Sequence, residues 1–363
     1  MTDPHITRRE LLVRGTGAAA MAGIVGAGGF LLHDPTGDTT LPDPTRDDRR
    51  LRNYFAEIDF PASNPRISVA VGNEDRIGQM VRAAIGGLDP SKGMARFVSD
   101  GDVVLIKPNV GFDRPPQLGA TTNPEVLGHV IRLCRQAGAR TVLVTDNPIE
   151  SPEVCFAKSK IGPVARAEGA HVVLPAQSQF ASLIVRDAPP DAQQGEVLQH
   201  WPVLFLPLDR AAKVIGVAPV KDHNLCSASM TLKNWYGLLG GRRNRFHQAI
   251  HETISDLGMM MSPTLVIADA TRVMMNNGPT GGRMSDVRPG GNLERPAIVA
   301  SVDPVACDAW CYRHLLGREP STLVYLDLAH RKISAQITRG TKRLSAPDWQ
   351  TYDRQGKIVT TNV

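Results

Sequence analysis

From Arg66 onward the chain alternates short β-branched apolar runs with longer stretches whose apolar residues recur at helical spacing. Ile67–Val71, Val103–Ile106, Thr141–Val144, His171–Leu174, Val214–Ala218, Leu265–Ala268 and Ala297–Ala300 each read as a strand. Residues 77–88, 124–137, 156–168, 230–239 and 246–261 read as helices; apolar positions 126, 127, 130, 131 and 133 mark the buried face of the second. The run at 297–300 leads into a further helix through Leu316, and residues 181–185 and 203–206 pair as an antiparallel excursion. Strands alternating with helices predict parallel βαβ units. The expected fold is α/β, an open, mostly parallel sheet with helices on both faces in Rossmann-like layers.

This pattern fills residues 65–330, and residues 331–363 read as a C-terminal tail without a clear period. Residues 34–64 hold Pro35, Pro42, Pro44 and Pro61 among Asp, Thr and Arg, and read as a linker that becomes anchored near Tyr54–Phe55. Residues 1–33 open with Thr7-Arg8-Arg9-Glu10-Leu11-Leu12 and continue into a weakly hydrophobic stretch from Gly15 to Leu32. Glycine costs about 1 kcal/mol in a helix interior, so Gly23, Gly26, Gly28 and Gly29 make a poor core helix. The segment resembles a twin-arginine (Tat) export signal, removed near Ala20-Met21-Ala22 or kept as an anchor. The Tat machinery is then an expected partner, and the periplasm or the outer face of the cytoplasmic membrane the expected location.

Composition narrows the classes. In 363 residues, 41 Lys and Arg against 36 Asp and Glu leave a surplus too small to argue for nucleic acid. No uninterrupted apolar run reaches the roughly 18 residues of a membrane span, which excludes a polytopic membrane protein. Cysteines at 134, 155, 226, 307 and 311 are too few and too scattered for a disulfide framework. Cys307 and Cys311 share a helix face, and a disulfide, a buried apolar pair and a two-thiolate metal site all fit that spacing.

The polar residues carry the candidate chemistry. Lys107-Pro108-Asn109, Asp146-Asn147, Lys221-Asp222-His223-Asn224, Asp269 and Asp303-Pro304 each follow an apolar strand. In an open parallel sheet the strands' carboxyl ends share one edge, where ligands bind, so these groups are expected to converge. Asn123-Pro124-Glu125 reads as a capped helix start, and the preceding Thr121-Thr122 makes it a candidate anion site. Ser229 to Gly237 brings Lys233 and Asn234, and Gly240-Gly241-Arg242-Arg243-Asn244-Arg245 adds guanidinium groups suited to carboxylate or phosphate. His247 and His251 at i, i+4 on one helix suit a divalent metal, with a third ligand unidentified. Asn276 to Gly282, with Gly281, reads as a turn or a lid.

Taken in order over residues 66–316, these blocks are similar to the signature of a family. They comprise Val104-Leu105-Ile106-Lys107-Pro108-Asn109, Thr122-Asn123-Pro124-Glu125, Lys221-Asp222-His223, Leu232-Lys233-Asn234-Trp235-Tyr236-Gly237, Gly278-Pro279-Thr280-Gly281 and Ser301 to Ala309. They resemble the "domain of unknown function 362" (DUF362) family. The resemblance implies an α/β fold. Many relatives carry a ferredoxin-like module with clustered cysteines, which this sequence lacks; through them the resemblance implies redox chemistry and a redox partner protein.

The expected function is an exported enzyme acting on a small anionic ligand, a carboxylate or phosphate. Lys107, Lys233 and Arg242 would hold the anion; Asn109, Thr122, Asn123, Asn234 and Gly281 would orient it. Catalysis would fall to His223, Lys221 and Lys233, with Asp146 or Asp269 tuning them or binding a cation. A divalent metal at His247 and His251, or a redox cofactor, would complete the set. The alternatives are a non-catalytic periplasmic binding or assembly protein and a metal-dependent hydrolase.

Overall fold

β-branched runs with no polar face need burial on both sides, and one large sheet supplies it. A computed structural model of the chain describes residues 49–184, 197–198, 200–338 and 358–363. Its strands are β1 (Ile67–Val71), β2 (Val103–Lys107), β3 (Thr141–Val144), β4 (His171–Val172), β5 (Phe180–Ile184), β6 (His200–Leu204), β7 (Lys213–His223), β8 (Ser227–Ser229), β9 (Leu265–Met274), β10 (Val287–Arg288), β11 (Ala297–Ser301) and β12 (Ile358–Asn362). The main sheet has the order β12-β1-β11-β9-β7-β2-β3-β4, with β8 and β10 folded back on β7 and β9. β5 and β6 form a separate antiparallel ribbon.

From β9 to β4 all neighbours are parallel. β11 runs against both β9 and β1, and β12 lies parallel to β1. The fold is therefore α/β with a mostly parallel sheet. The helices are α1 (Ile77–Leu88), α2 (Pro124–Gln136), α3 (Pro152–Lys158), α4 (Ile161–Ala167), α5 (Phe205–Arg210), α6 (Thr231–Asn234), α7 (Ile250–Met260), α8 (Pro304–His314) and α9 (Val324–Thr338). Successive strand residues point to opposite faces. Val104, Ile106, Ile215, Ile267 and Ile298 pack against α1 to α4, whereas Leu105, Val214, Val266 and Val299 pack against α6 to α9. Among the described residues no helix is long and apolar enough to cross a membrane.

Several expectations change. Residues 156–168 are not one helix: Lys160, with φ 63°, separates α3 from α4. Residues 230–239 form the four-residue α6 followed by a 3-10 turn, and a 3-10 segment at Arg243–Ala249 precedes α7. Because β11 is antiparallel, Asp303 lies at the sheet edge opposite Lys107 and Asp146. Residues 358–362, placed in the tail by their lack of period, add β12 beside β1. Part of the linker is fixed to the body: the Tyr54 hydroxyl donates to Leu208 O at 3.0 Å, and Thr264 Oγ1 donates to Tyr54 O at 2.9 Å. The export-signal segment, residues 1–33, lies outside the described residues.

β7 positions the site. Its pairing with β9 shifts between Pro219 and Lys221, since proline has no N–H for the ladder. Beyond that irregularity β7 continues as a hairpin with β8, pairing Lys221 with Ser229 and His223 with Ser227.

Candidate functional site

At the carboxyl edge of β2, β3 and β7 lies a cavity of about 270 Å³. Lys221 and His223 reach it from β7, Lys233 and Asn234 from α6, and Asn109 and Asp146 from the loops after β2 and β3. Among the described residues Asp146 is the single acidic side chain in the lining.

The base of the site is an ion pair. Lys107 is fully buried; its Nζ lies 2.7 Å from Asp146 Oδ1 and donates to Asn234 Oδ1 at 3.0 Å and to Pro108 O at 2.8 Å. Asp146 also accepts from the Val110 amide at 2.6 Å and the Asn147 amide at 3.0 Å. Gly237 permits this packing, because a Cβ there would fall 2.1 Å from Asp146 Oδ1. Lys107 was expected to hold the anion. Its three donors are committed within the protein, and it does not line the cavity.

Lys221 is 1% exposed; its Nζ donates to Ala120 O at 2.5 Å and sits 5.2 Å from the centre of the Phe112 ring. Burial, then the neighbouring Lys233 charge, bring its pKa down to about 7. The same factors hold His223 neutral, with a pKa pushed down to about 2. The Leu225 amide donates to His223 Nδ1 at 3.2 Å, so the neutral ring carries its proton on Nε2 and offers a donor. His223 therefore suits hydrogen-bond donation to an anion better than general-base work.

Lys233 is half-buried, 4.9 Å from the Tyr236 ring centre, and among the described residues no carboxylate pairs with it. Burial lowers its pKa, and the Arg243 charge adds to that effect. Asn234 donates to Lys107 O at 3.0 Å and accepts from Asn109 Nδ2 at 3.4 Å, linking the floor to the wall.

Other expected residues serve the scaffold. Thr122 Oγ1 donates to Val217 O and accepts from the Asn109 amide, both at 2.8 Å. Asn123 caps α2 by accepting from the Glu125 amide, and its own amide donates to Asp269 Oδ2 at 2.7 Å. Asp269 also accepts the Thr271 amide and hydroxyl. The anion at this helix start is thus the protein's own carboxylate. Gly281, with φ 55°, packs on Met274 outside the cavity lining.

The guanidinium that lines the cavity belongs to Arg243; Arg242 is exposed and outside the lining. Arg243 is 8% exposed and donates to Leu239 O at 3.2 Å and Pro148 O at 2.8 Å. The two histidines have different ring neighbours. His247 lies in the 3-10 segment with its ring 5.4 Å from Tyr236, while His251 on α7 stacks at 6.4 Å on Tyr325. Among the described residues no three His, Cys, Asp or Glu side chains gather as a metal cluster. Cys307 and Cys311 are both buried on α8. Arg243 and the apolar residues of the lining were missed; the arginine run was visible, but which of its members turns inward is set by the fold.

These features define an α/β protein with a cation-rich crevice at the carboxyl edge of its sheet. The family model described as "Domain of unknown function (DUF362)" matches residues 104–313, and the chain belongs to that family. It is 25% identical over 248 residues to a thylakoid-associated protein of Synechocystis sp., spanning 65% of this chain and 70% of the relative. The lactate racemase apoprotein from Thermoanaerobacterium thermosaccharolyticum aligns with a TM-score of 0.39 and 9% identity, over 70% of this chain and 60% of that one.

Proposed function

We propose that the crevice binds a small carboxylate or phosphate and that the chain is an enzyme transferring a proton to or from that ligand. The carrying observation is charge. Lys221, Lys233 and Arg243 line the cavity, while its one acid, Asp146, is already paired with Lys107. A concave site with this surplus favours an anion. Lys221, with a pKa of about 7, is the candidate acid or base, and His223 Nε2–H the candidate donor to oxygen. Export by the Tat route belongs to this proposal and rests on residues 7–32; a redox cofactor or partner rests on the family resemblance alone.

The test is calorimetric titration of the protein with inorganic phosphate, acetate and succinate at about pH 6.5. Binding weakened at least tenfold by Lys233→Gln is expected. Wild-type protein that binds none of the three, or a variant that binds them equally well, overturns the anion site. Small molecules released from purified protein, identified by mass spectrometry and returned to it in deuterated water, separate enzyme from binder. Deuterium incorporation marks proton transfer; unchanged ligand favours a binding protein.

A further inference from the structure

The cavity lining combines two chemistries. Lys221, His223, Lys233 and Arg243 stand with several Asn side chains and Ser229, and beside them Phe112, Ile149, Leu225 and Pro279, drawn from four separate segments, are apolar. Ile149 and Leu225 are 56% and 50% exposed, among the most exposed large apolar side chains of the described residues. A lone exposed apolar residue is ordinary. Two of them in the lining of one concave site, brought from different loops, mark a place for ligand contact.

Both sit in turns that hydrogen bonds tie to neighbouring residues of the site. The Leu225 amide donates to His223 Nδ1, the bond that also places the His223 proton. The Ile149 amide donates to Gly111 O at 3.1 Å, next to Phe112, whose ring faces the Lys221 ammonium. The neighbouring Asn224 amide donates to Gly278 O at 3.3 Å, tying the Leu225 turn to the loop that brings Pro279. These four apolar side chains offer an entering ligand no hydrogen-bonding groups.

We infer that the ligand is an amphiphilic anion: a carboxylate or phosphate head joined to an alkyl or aryl body that lies against Phe112, Ile149, Leu225 and Pro279. The inference rests on the anion-binding reading of the same crevice. Hydroxyl groups laid against those four side chains would lose water and gain no partner from them, which disfavours a polyhydroxylated body there.

The full chain is titrated with acetate, butanoate, hexanoate, octanoate and phenylacetate, with gluconate as the hydroxylated six-carbon control and inorganic phosphate as the bare anion. Affinity rises about two- to fourfold per methylene over the first members, and hexanoate exceeds gluconate at least tenfold. In the Ile149→Asn/Leu225→Asn variant the ratio of octanoate to acetate affinity collapses, whereas Lys233→Gln weakens every member and keeps the ratio. Both substituted rim positions are exposed, and an unchanged thermal transition confirms folding. Equal affinity from acetate to octanoate, or gluconate binding as tightly as hexanoate, overturns this inference and leaves anion binding standing. Failure of every member, phosphate included, overturns the anion site itself.

Discussion

The carboxylate of Asp308 accepts both the amide of Thr231, at 2.9 Å, and its hydroxyl, at 2.5 Å, across 77 positions of sequence. Its other oxygen accepts the Leu232 amide at 3.1 Å. Thr231 opens α6, the four-residue helix carrying Lys233 and Asn234 to the crevice. So short a helix has no stability of its own, and the carboxylate on α8 anchors its first turn. Asp308→Ala leaves buried amides unpaired and is expected to cost about 2–3 kcal/mol. It should also weaken phosphate binding although Asp308 lines no part of the cavity. Denaturant unfolding and titration of the same variant check both effects; an unchanged melt would refute the anchoring role.

Burial raises the Asp308 pKa to about 7. In the unfolded chain an aspartate releases its proton near pH 4. Between about pH 4 and 7 the native state therefore binds more protons, and stability falls as pH rises across that window. Asp308→Asn has no proton to hold there, so the difference in unfolding free energy between variant and wild type should slope with pH in this range. A difference independent of pH from about 4 to 7 would show that Asp308 titrates as an ordinary carboxyl.

Lys107 and Asp146 make a second separable prediction. Their pair is buried, at 2.7 Å, with no exposed edge. Removing one partner strands a charge, so Lys107→Met is expected to cost roughly 3–5 kcal/mol, with part recovered in Lys107→Met/Asp146→Asn. Thermal and denaturant melts of the two variants decide this. A Lys107→Met protein that melts like wild type yet no longer binds phosphate would make Lys107 a direct ligand.

Strand existence and the parallel core were legible because β-branched runs alternating with helical periods admit few arrangements. The direction of β11 was not. Ala297–Ser301 is buried on both faces and reads the same either way, so Asp303 was assigned to the wrong edge. Residue type marked Lys107, Lys221, Lys233 and His223 as chemistry-bearing, but partner identity separates them. Lys107 meets Asp146, and Asn123 meets Asp269, only through tertiary structure. At residues 242–251 the start of the expected helix is instead 3-10 from Arg243 to Ala249, and Arg243 rather than Arg242 lines the cavity.

The choice between Arg242 and Arg243 has its own test. Arg242→Gln is expected to change acetate affinity less than twofold, because Arg242 is exposed outside the lining. Arg243→Gln should lose at least tenfold, along with some stability, because its guanidinium also binds Leu239 O and Pro148 O. Arg243→Lys keeps the charge without the planar fork and should fall between them. The reverse ranking in calorimetric titration would return the anion to Arg242.

Lys221 sets the pH response of the site. Its pKa of about 7 reflects burial and the Lys233 charge, so at neutral pH the free protein holds a mixture of ammonium and amine. A bound anion favours the ammonium and raises that pKa. Acetate, which stays ionised from about pH 6 to 9, should therefore bind more weakly as pH rises through this range and draw a proton from solution at about pH 8. Uptake appears as a binding enthalpy that varies with the ionisation enthalpy of the buffer. His223 adds nothing to the profile, since its pKa of about 2 leaves it neutral throughout. Lys221→Met retains most of the alkyl volume, loses the charge, and should bind acetate more weakly and with a shallower pH dependence over this range, since Lys233 remains. A wild-type affinity that stays flat from about pH 6 to 9, with no buffer dependence, would remove Lys221 from both the anion site and the proton-transfer role.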